Sequence, residues 1–175
     1  MIQYRELPSI HFDQRPPGVE IDTLVIHSMH DPLAADPFAP AACKAALDRY
    51  RVSAHYLIDR DGLVWKCVPE GARAWHAGES RMPEDGRENV NHFSIGVELI
   101  GGETSGFTAA QYQSAAALAA EIIARRPIKR ILGHSDIAPQ RKTDPWNFDW
   151  DRFRALLEAA LRERPRPRIG PVTAA

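Results

Sequence analysis

Gly133-His134-Ser135-Asp136-Ile137-Ala138-Pro139-Gln140-Arg141-Lys142-Thr143-Asp144-Pro145-Trp146 is the stretch around which the rest of the chain can be ordered. An apolar run, Ile128 to Leu132, precedes it and reads as a strand, and an amphipathic run follows it and reads as a helix. The stretch is therefore a long loop on a rigid scaffold, a common place for chemistry. It carries an imidazole, two carboxylates, a guanidinium and an ammonium. Lys142 and Asp144 are one residue apart, so an extended backbone aims both side chains to one side. Pro145 favours that state for Asp144. Taken alone, such a pair is more often a surface ion pair than a site.

Outward from this loop, the chain alternates strand and helix signals. Thr23 to Ser28 is a short β-branched apolar run that delivers His27 near its C-terminal end. Ala41 to Tyr50 has helical composition and spacing. Ala54–Ile58 and Leu63–Val68 read as strands joined by Asp59-Arg60-Asp61-Gly62, an Asp-Gly hairpin whose central positions should both take positive φ. Pro69 to Asn91 is a long polar stretch containing Trp75-His76-Ala77-Gly78, and loops of that length are more often functional than idle. Phe93 to Ile100 is a further apolar run, closed by Gly101-Gly102. Thr108-Ala-Ala-Gln111 is a capping box, opening a helix to about Arg125. Asp149 caps the last helix, with Phe148 and Phe153 as a hydrophobic staple and a stripe of Trp150, Phe153, Leu156, Leu157, Ala160 and Leu161; Pro165 stops it. The order predicts an α/β fold, a single mixed β-sheet flanked by helices.

At 175 residues the chain suits one domain. Residues 1–20 read as an N-terminal arm, 21–163 as the folded domain, and 164–175 as a flexible tail. A net charge of −1 argues against a nucleic-acid or anionic-membrane partner. Cys43 and Cys67 read as buried thiols rather than a disulfide framework. No apolar window reaches membrane-spanning length, and Met1 to Glu6 lacks the apolar core of a secretory signal, so a cytoplasmic protein is expected. A chain starting after a removed signal would read the same way.

His11 and His30 sit in polar loops, and His55 reads as a core histidine. His27 and His134 each end an apolar strand and open a polar loop, where α/β sheets place ligand groups. With one carboxylate they would make a zinc site that keeps a fourth position open. Asp136 and Asp144 are both candidates, and spacing does not choose between them. Glu98 alternates with Val97 and Leu99, so it faces away from them. It either meets water at a sheet edge or sits in a site that uses its proton affinity, which partial burial would raise toward that of a general base.

Taken together, Leu24-Val25-Ile26-His27, Val52-Ser53-Ala54-His55-Tyr56, Ala74-Trp75-His76-Ala77-Gly78, Asn91 through Glu98, and Gly133 through Pro145 resemble the zinc-dependent N-acetylmuramoyl-L-alanine amidases. The resemblance is greatest to the AmpD-type enzymes that cleave 1,6-anhydro-muropeptides in cell-wall recycling, and it runs from about residue 21 to residue 161. Phage amidases and animal peptidoglycan recognition proteins share the fold more distantly. The resemblance implies that fold, with Zn²⁺ held by His27, His134 and Asp144. It makes Glu98 the general base and Lys142 the oxyanion partner, and leaves Asp136 a structural role. The bond cut would join the lactyl group of muramic acid to L-alanine. His76 would line the cleft, with Arg73 or Arg81 meeting anionic parts of the peptide, and the protein would act as a monomer. Trp146, where the family pattern more often has glycine, and the loop from Glu79 to Asn89 depart from it and bear on substrate subclass. An exported or phage-type amidase acting on intact peptidoglycan is the alternative. A non-catalytic peptidoglycan-binding module is another, against which all five candidate residues weigh.

Overall fold

The computed structural model of the chain describes residues 2–163; the expected tail and Pro165 lie outside the described residues. Thr23–Met29 (β3) and Ser94–Ile100 (β7) are the central strands, paired in parallel from Thr23 opposite Ser94 to Met29 opposite Ile100. Six strands form the main sheet, in the order Tyr4–Glu6 (β1), Val64–Lys66 (β5), Tyr56–Ile58 (β4), β7, β3 and Arg130–Gly133 (β8). Only the β4–β5 pair is antiparallel, so the sheet is mixed, as expected.

Strand side chains alternate between faces, and here the two faces differ in chemistry. Leu24, Ile26, Tyr56, Ile58, Ile95, Val97 and Leu99 point to one side. They are covered by Ala109–Arg125 (α2) and Trp150–Glu163 (α4). The small residues Ala115, Ala116 and Ala119 bring α2 close, while Leu118 and Ile122 are fully buried, each contributing roughly 1.5–3 kcal/mol. The opposite face carries Val25, His27, Leu57, Gly96, Glu98 and Ile100. Pro40–Arg49 (α1) covers its apolar end through Cys43 and Leu47. Loops cover the rest, packing Ala77, Met82, Val90 and Ile137 against Val25.

Thr108 caps α2 reciprocally with Gln111, and the Asp149 carboxylate accepts from Arg152 N at the start of α4. Phe148 and Phe153 meet with ring centroids 5.5 Å apart, as a staple requires. Leu161, expected in the buried stripe of α4, is instead 39% exposed. Both thiols are free and buried, and burial pushes each up to about 12.

Four segments differ from expectation. In the β4–β5 hairpin only Gly62 has positive φ. The Asp59 carboxylate accepts from the amides of Asp61 and Leu63, so the side chain closes the loop in place of a two-residue turn. The stretch from Pro69 to Asn91 contains a short strand, Ala72–Ala74 (β6), and a 3-10 turn, Val90–His92. The loop after β8 opens with a helical turn, His134–Ile137 (α3), whose Asp136 carboxylate accepts from Gly133 N at 2.7 Å. The arm is built into the fold: β1 forms one edge of the main sheet, and Phe12–Gln14 (β2) pairs with β6. From the arm, the Arg15 guanidinium donates to the carbonyls of Glu70, Asn91, His92 and Ser94. Burial lowers its pKa to about 10.

Candidate functional site

Parallel pairing sets the site. His27 and Glu98 are register partners on β3 and β7, and Gly133, opposite Ile26, places His134 one residue beyond the end of β8. The loop after α3 returns Asp144 to the same point, where Ser135 N donates to the Asp144 carbonyl. His27, His134 and Asp144 are all buried, and each has a ligand-type atom within 4.8 Å of the others. His27 Nδ1 lies 3.5 Å from the Asp144 carboxylate and His134 Nδ1 lies 3.2 Å from it. Asp136 is committed to Gly133 N, so of the two aspartates left open by the sequence it is Asp144 that joins the histidines.

The surroundings suit a divalent cation. His27 Nδ1 is buried with no hydrogen-bond partner. Burial holds the His27 ring down to about 4, so it is neutral near pH 7. His134 Nε2 lies 3.2 Å from the Ala77 carbonyl, which can only accept, so Nε2 carries a proton and a neutral ring offers Nδ1 as a lone pair. Ligands about 2 Å from a tetrahedral centre stand roughly 3.3 Å apart, close to the distances of Asp144 from the two histidines. Two nitrogens and one carboxylate also match zinc's preferred donors with one position open.

Glu98 is 8% exposed and has one carboxylate oxygen buried without a partner, a cost of about 1–3 kcal/mol that packing alone does not explain. Burial first, then the Asp144 charge, raises its pKa well above the ordinary value. Glu98, Lys142, His134 and Asp144 all border one cleft of about 570 Å³. Ala46, Leu47 and Tyr50 of the α1 segment line one part of it, and Trp75 and Trp146 add aromatic surface. Lys142 forms no ion pair with Asp144 among the described residues, so the surface-pair reading does not describe them. A larger cavity, about 820 Å³, adjoins it between the loop from Glu79 to Asn89 and the stretch from Asp136 to Arg141. None of His27, His134 and Asp144 lines it, whereas His134 and Asp144 line the smaller one.

The peripheral expectations fare differently. His76 borders the cleft, but its ring is buried and both nitrogens are engaged, Nδ1 with His27 Nε2 at 2.9 Å and Nε2 with Ser94 Oγ at 3.1 Å. It stands behind His27 rather than free to meet a ligand. Arg73 pairs with Asp13 across β2 and β6, and Arg81 pairs with Glu88 beside the larger cavity; neither borders the cleft. Nothing in the sequence pattern singles out Arg141. Its guanidinium donates to the carbonyls of Ala77 and Glu79, so it shares the Ala77 oxygen with His134. Gly78 has φ +58°, and a Cβ there would stand 2.8 Å from Arg141 Nη2.

The family profile for N-acetylmuramoyl-L-alanine amidase matches residues 17–147, a span that includes all five candidate site residues. The chain belongs to the N-acetylmuramoyl-L-alanine amidase family. As expected from the motifs, its similarity includes the AmpD enzymes. It is 42% identical to the 1,6-anhydro-N-acetylmuramyl-L-alanine amidase AmpD of Escherichia coli, over 90% of this chain and 93% of that one. The crystal structure of a selenomethionine AmpD derivative superposes with a TM-score of 0.77 at 42% identity, covering 90% of this chain and 96% of the other. The amidase AmiD of Escherichia coli, solved with anhydro-N-acetylmuramic acid-L-Ala-D-γ-Glu-L-Lys as substrate, superposes at 0.67 with 33% identity, covering 82% and 60% of the two chains. No helix among the described residues is long and apolar enough to cross a membrane.

Proposed function

We propose that this amidase hydrolyses the amide between the lactyl group of N-acetylmuramic acid, in its 1,6-anhydro form, and the L-alanine of a muropeptide, as a zinc enzyme of cytoplasmic wall recycling. The observation that carries the reading is the single cleft bordered by Glu98, Lys142, His134 and Asp144, with His27 buried beside the last two. The 1,6-anhydro substrate in the names of the 42%-identical relatives supports the recycling subclass. Residues 21–163 are read as the catalytic domain, with residues 1–20 as the arm that completes it.

His27, His134 and Asp144 would hold the zinc ion, which when bound polarises the amide carbonyl and acidifies water. Glu98, poorly solvated and with a raised proton affinity, accepts the proton of the attacking water. The same carboxyl returns that proton to the L-alanine nitrogen as the C–N bond breaks. Lys142, facing the same cleft, places its ammonium where the oxyanion develops. The test is release of free stem peptide from a defined anhydro-muropeptide, with chelator and after zinc is restored. Turnover in the chelated protein would refute the metal reading. Whole sacculi cleaved as well as anhydro-muropeptide would favour an amidase of intact wall, and binding without peptide release would favour a recognition module.

A further inference from the structure

Ser94 and His76 form a chain behind His27 to which the proposed reaction gives no part. Its proton order can be followed atom by atom. Ser94 Oγ lies 2.6 Å from the Val90 carbonyl and 3.1 Å from His76 Nε2. A carbonyl oxygen only accepts, so the hydroxyl proton points at Val90. The serine oxygen is left to accept, and His76 Nε2 must supply the proton. In a neutral ring His76 Nδ1 is then a lone pair, 2.9 Å from His27 Nε2. His27 Nε2 must donate to it, and His27 Nδ1 ends the chain as an unpartnered acceptor aimed at Asp144 and His134.

We infer that Ser94 is a positioning residue which, through His76, selects the His27 tautomer whose Nδ1 is open to a metal ion. The inference rests on the proposed metal centre. The stakes lie in the alternative. If the serine hydroxyl turned toward His76, each proton along the chain would shift by one atom. His27 would then aim an N–H at the Asp144 carboxylate, and that hydrogen bond would have to be broken before a cation could enter. With Nδ1 open, two imidazole lone pairs and a carboxylate face one point without a donor among them, an arrangement that a cation relieves.

The anchor of the chain is held on several sides. The Val90 carbonyl also accepts from Phe93 N. Arg15 donates to the carbonyls of Asn91, His92 and Ser94, tying down the turn that contains Val90 and the strand that carries Ser94. Asn91 Oδ1 accepts from the amides of His76 and Ala77, fixing the His76 backbone. Gly96 gives the His76 ring its room: a Cβ there would stand 2.4 Å from His76 Cγ.

The full chain is compared as wild type, Ser94→Ala, His76→Asn and the double variant. Zinc affinity is measured by chelator competition at one pH, and histidine tautomers of the metal-free proteins are read from ¹⁵N–¹H spectra. The wild type should carry the His27 proton on Nε2, and Ser94→Ala should bind zinc about 10–100-fold more weakly. Asparagine at 76 can offer its amide oxygen near the place of His76 Nδ1 without help from Ser94. The double variant should therefore lose little beyond His76→Asn alone. A merely structural serine would lower thermal stability and leave the tautomer unchanged. Wild-type His27 protonated on Nδ1, or Ser94→Ala affinity within about two-fold of wild type, would overturn the inference. If Ser94→Ala does not fold, the wild-type tautomer decides alone. A wild type that binds no zinc would refute the metal centre, and the tautomer spectrum would still decide the relay.

Discussion

His27 and Glu98 are register partners on adjacent parallel strands, so a buried imidazole and a buried carboxyl leave the sheet side by side on its loop-covered face. Replacing Glu98 by Gln keeps the shape and removes the proposed base, so turnover should fall by about 10²–10⁴-fold with zinc still bound. Stability should move the other way. The folded-state pKa of Glu98 is raised above 4.5. Between 4.5 and that raised value the folded protein keeps a proton that the unfolded chain has released, so stability falls as pH rises through this window. Metal-free Glu98→Gln should therefore melt above metal-free wild type at pH 7, by about 2–4 °C for each kcal/mol regained. The gap should close below pH 4.5.

Gly96 is buried in β7 directly beneath the His76 ring. Alanine is ordinarily tolerated in a strand, but here its methyl would overlap the imidazole. Gly96→Ala should destabilise by about 1–3 kcal/mol and weaken zinc binding, because the ring that supports His27 must move. Urea unfolding and chelator competition would check the two effects separately.

Arg141 and His134 share the Ala77 carbonyl. Arg141→Ala should lower zinc affinity by about 10-fold through the loss of that support, and should speed proteolysis in the loop from Glu79 to Asn89. Gly78→Ala should reproduce part of this, since its φ of +58° costs about 1–2 kcal/mol for an L side chain and the new methyl would crowd Arg141.

Glu70 accepts from Arg125, Arg126 and Tyr56. Burial alone would raise its pKa, but these donors hold it below the ordinary value. Its contribution is present above 4.5 and is lost as pH falls through the depressed folded-state value. Glu70→Gln should cost about 1.5–3 kcal/mol at pH 7. The difference from wild type should shrink in acid; an unchanged difference at pH 3 would refute the ion-pair account.

Hydrophobic periodicity made the central strands and main helices legible, because β3, β7 and α2 obey simple two-fold or helical patterns. His27, Glu98 and His134 stood out for the same reason, as polar residues at the ends or on the second face of apolar strands. The choice of Asp144 over Asp136 needed either the resemblance or the fold, because a helical turn after β8 spends Asp136 on a backbone amide. Ser94, Gly96, Gly78 and Arg141 act through atoms distant in sequence, and no local pattern marks them. The arm illustrates the same limit. Its prolines suggested a wrapping segment, yet β1 and β2 are held by pairing with strands about sixty residues away.

The parallel order of β7, β3 and β8 also has a consequence for biosynthesis. β3 leaves the ribosome long before either of its neighbours, and parallel partners cannot be supplied by a local turn. His27 therefore spends most of translation without Glu98, His134 or Asp144 beside it. The cluster of His27, His134 and Asp144 comes into being only after residue 144 has been made and the sheet has closed around β3. Capture of a metal ion by all three ligands would thus report a completed catalytic sheet, and a chain truncated before Asp144 would lack the full cluster.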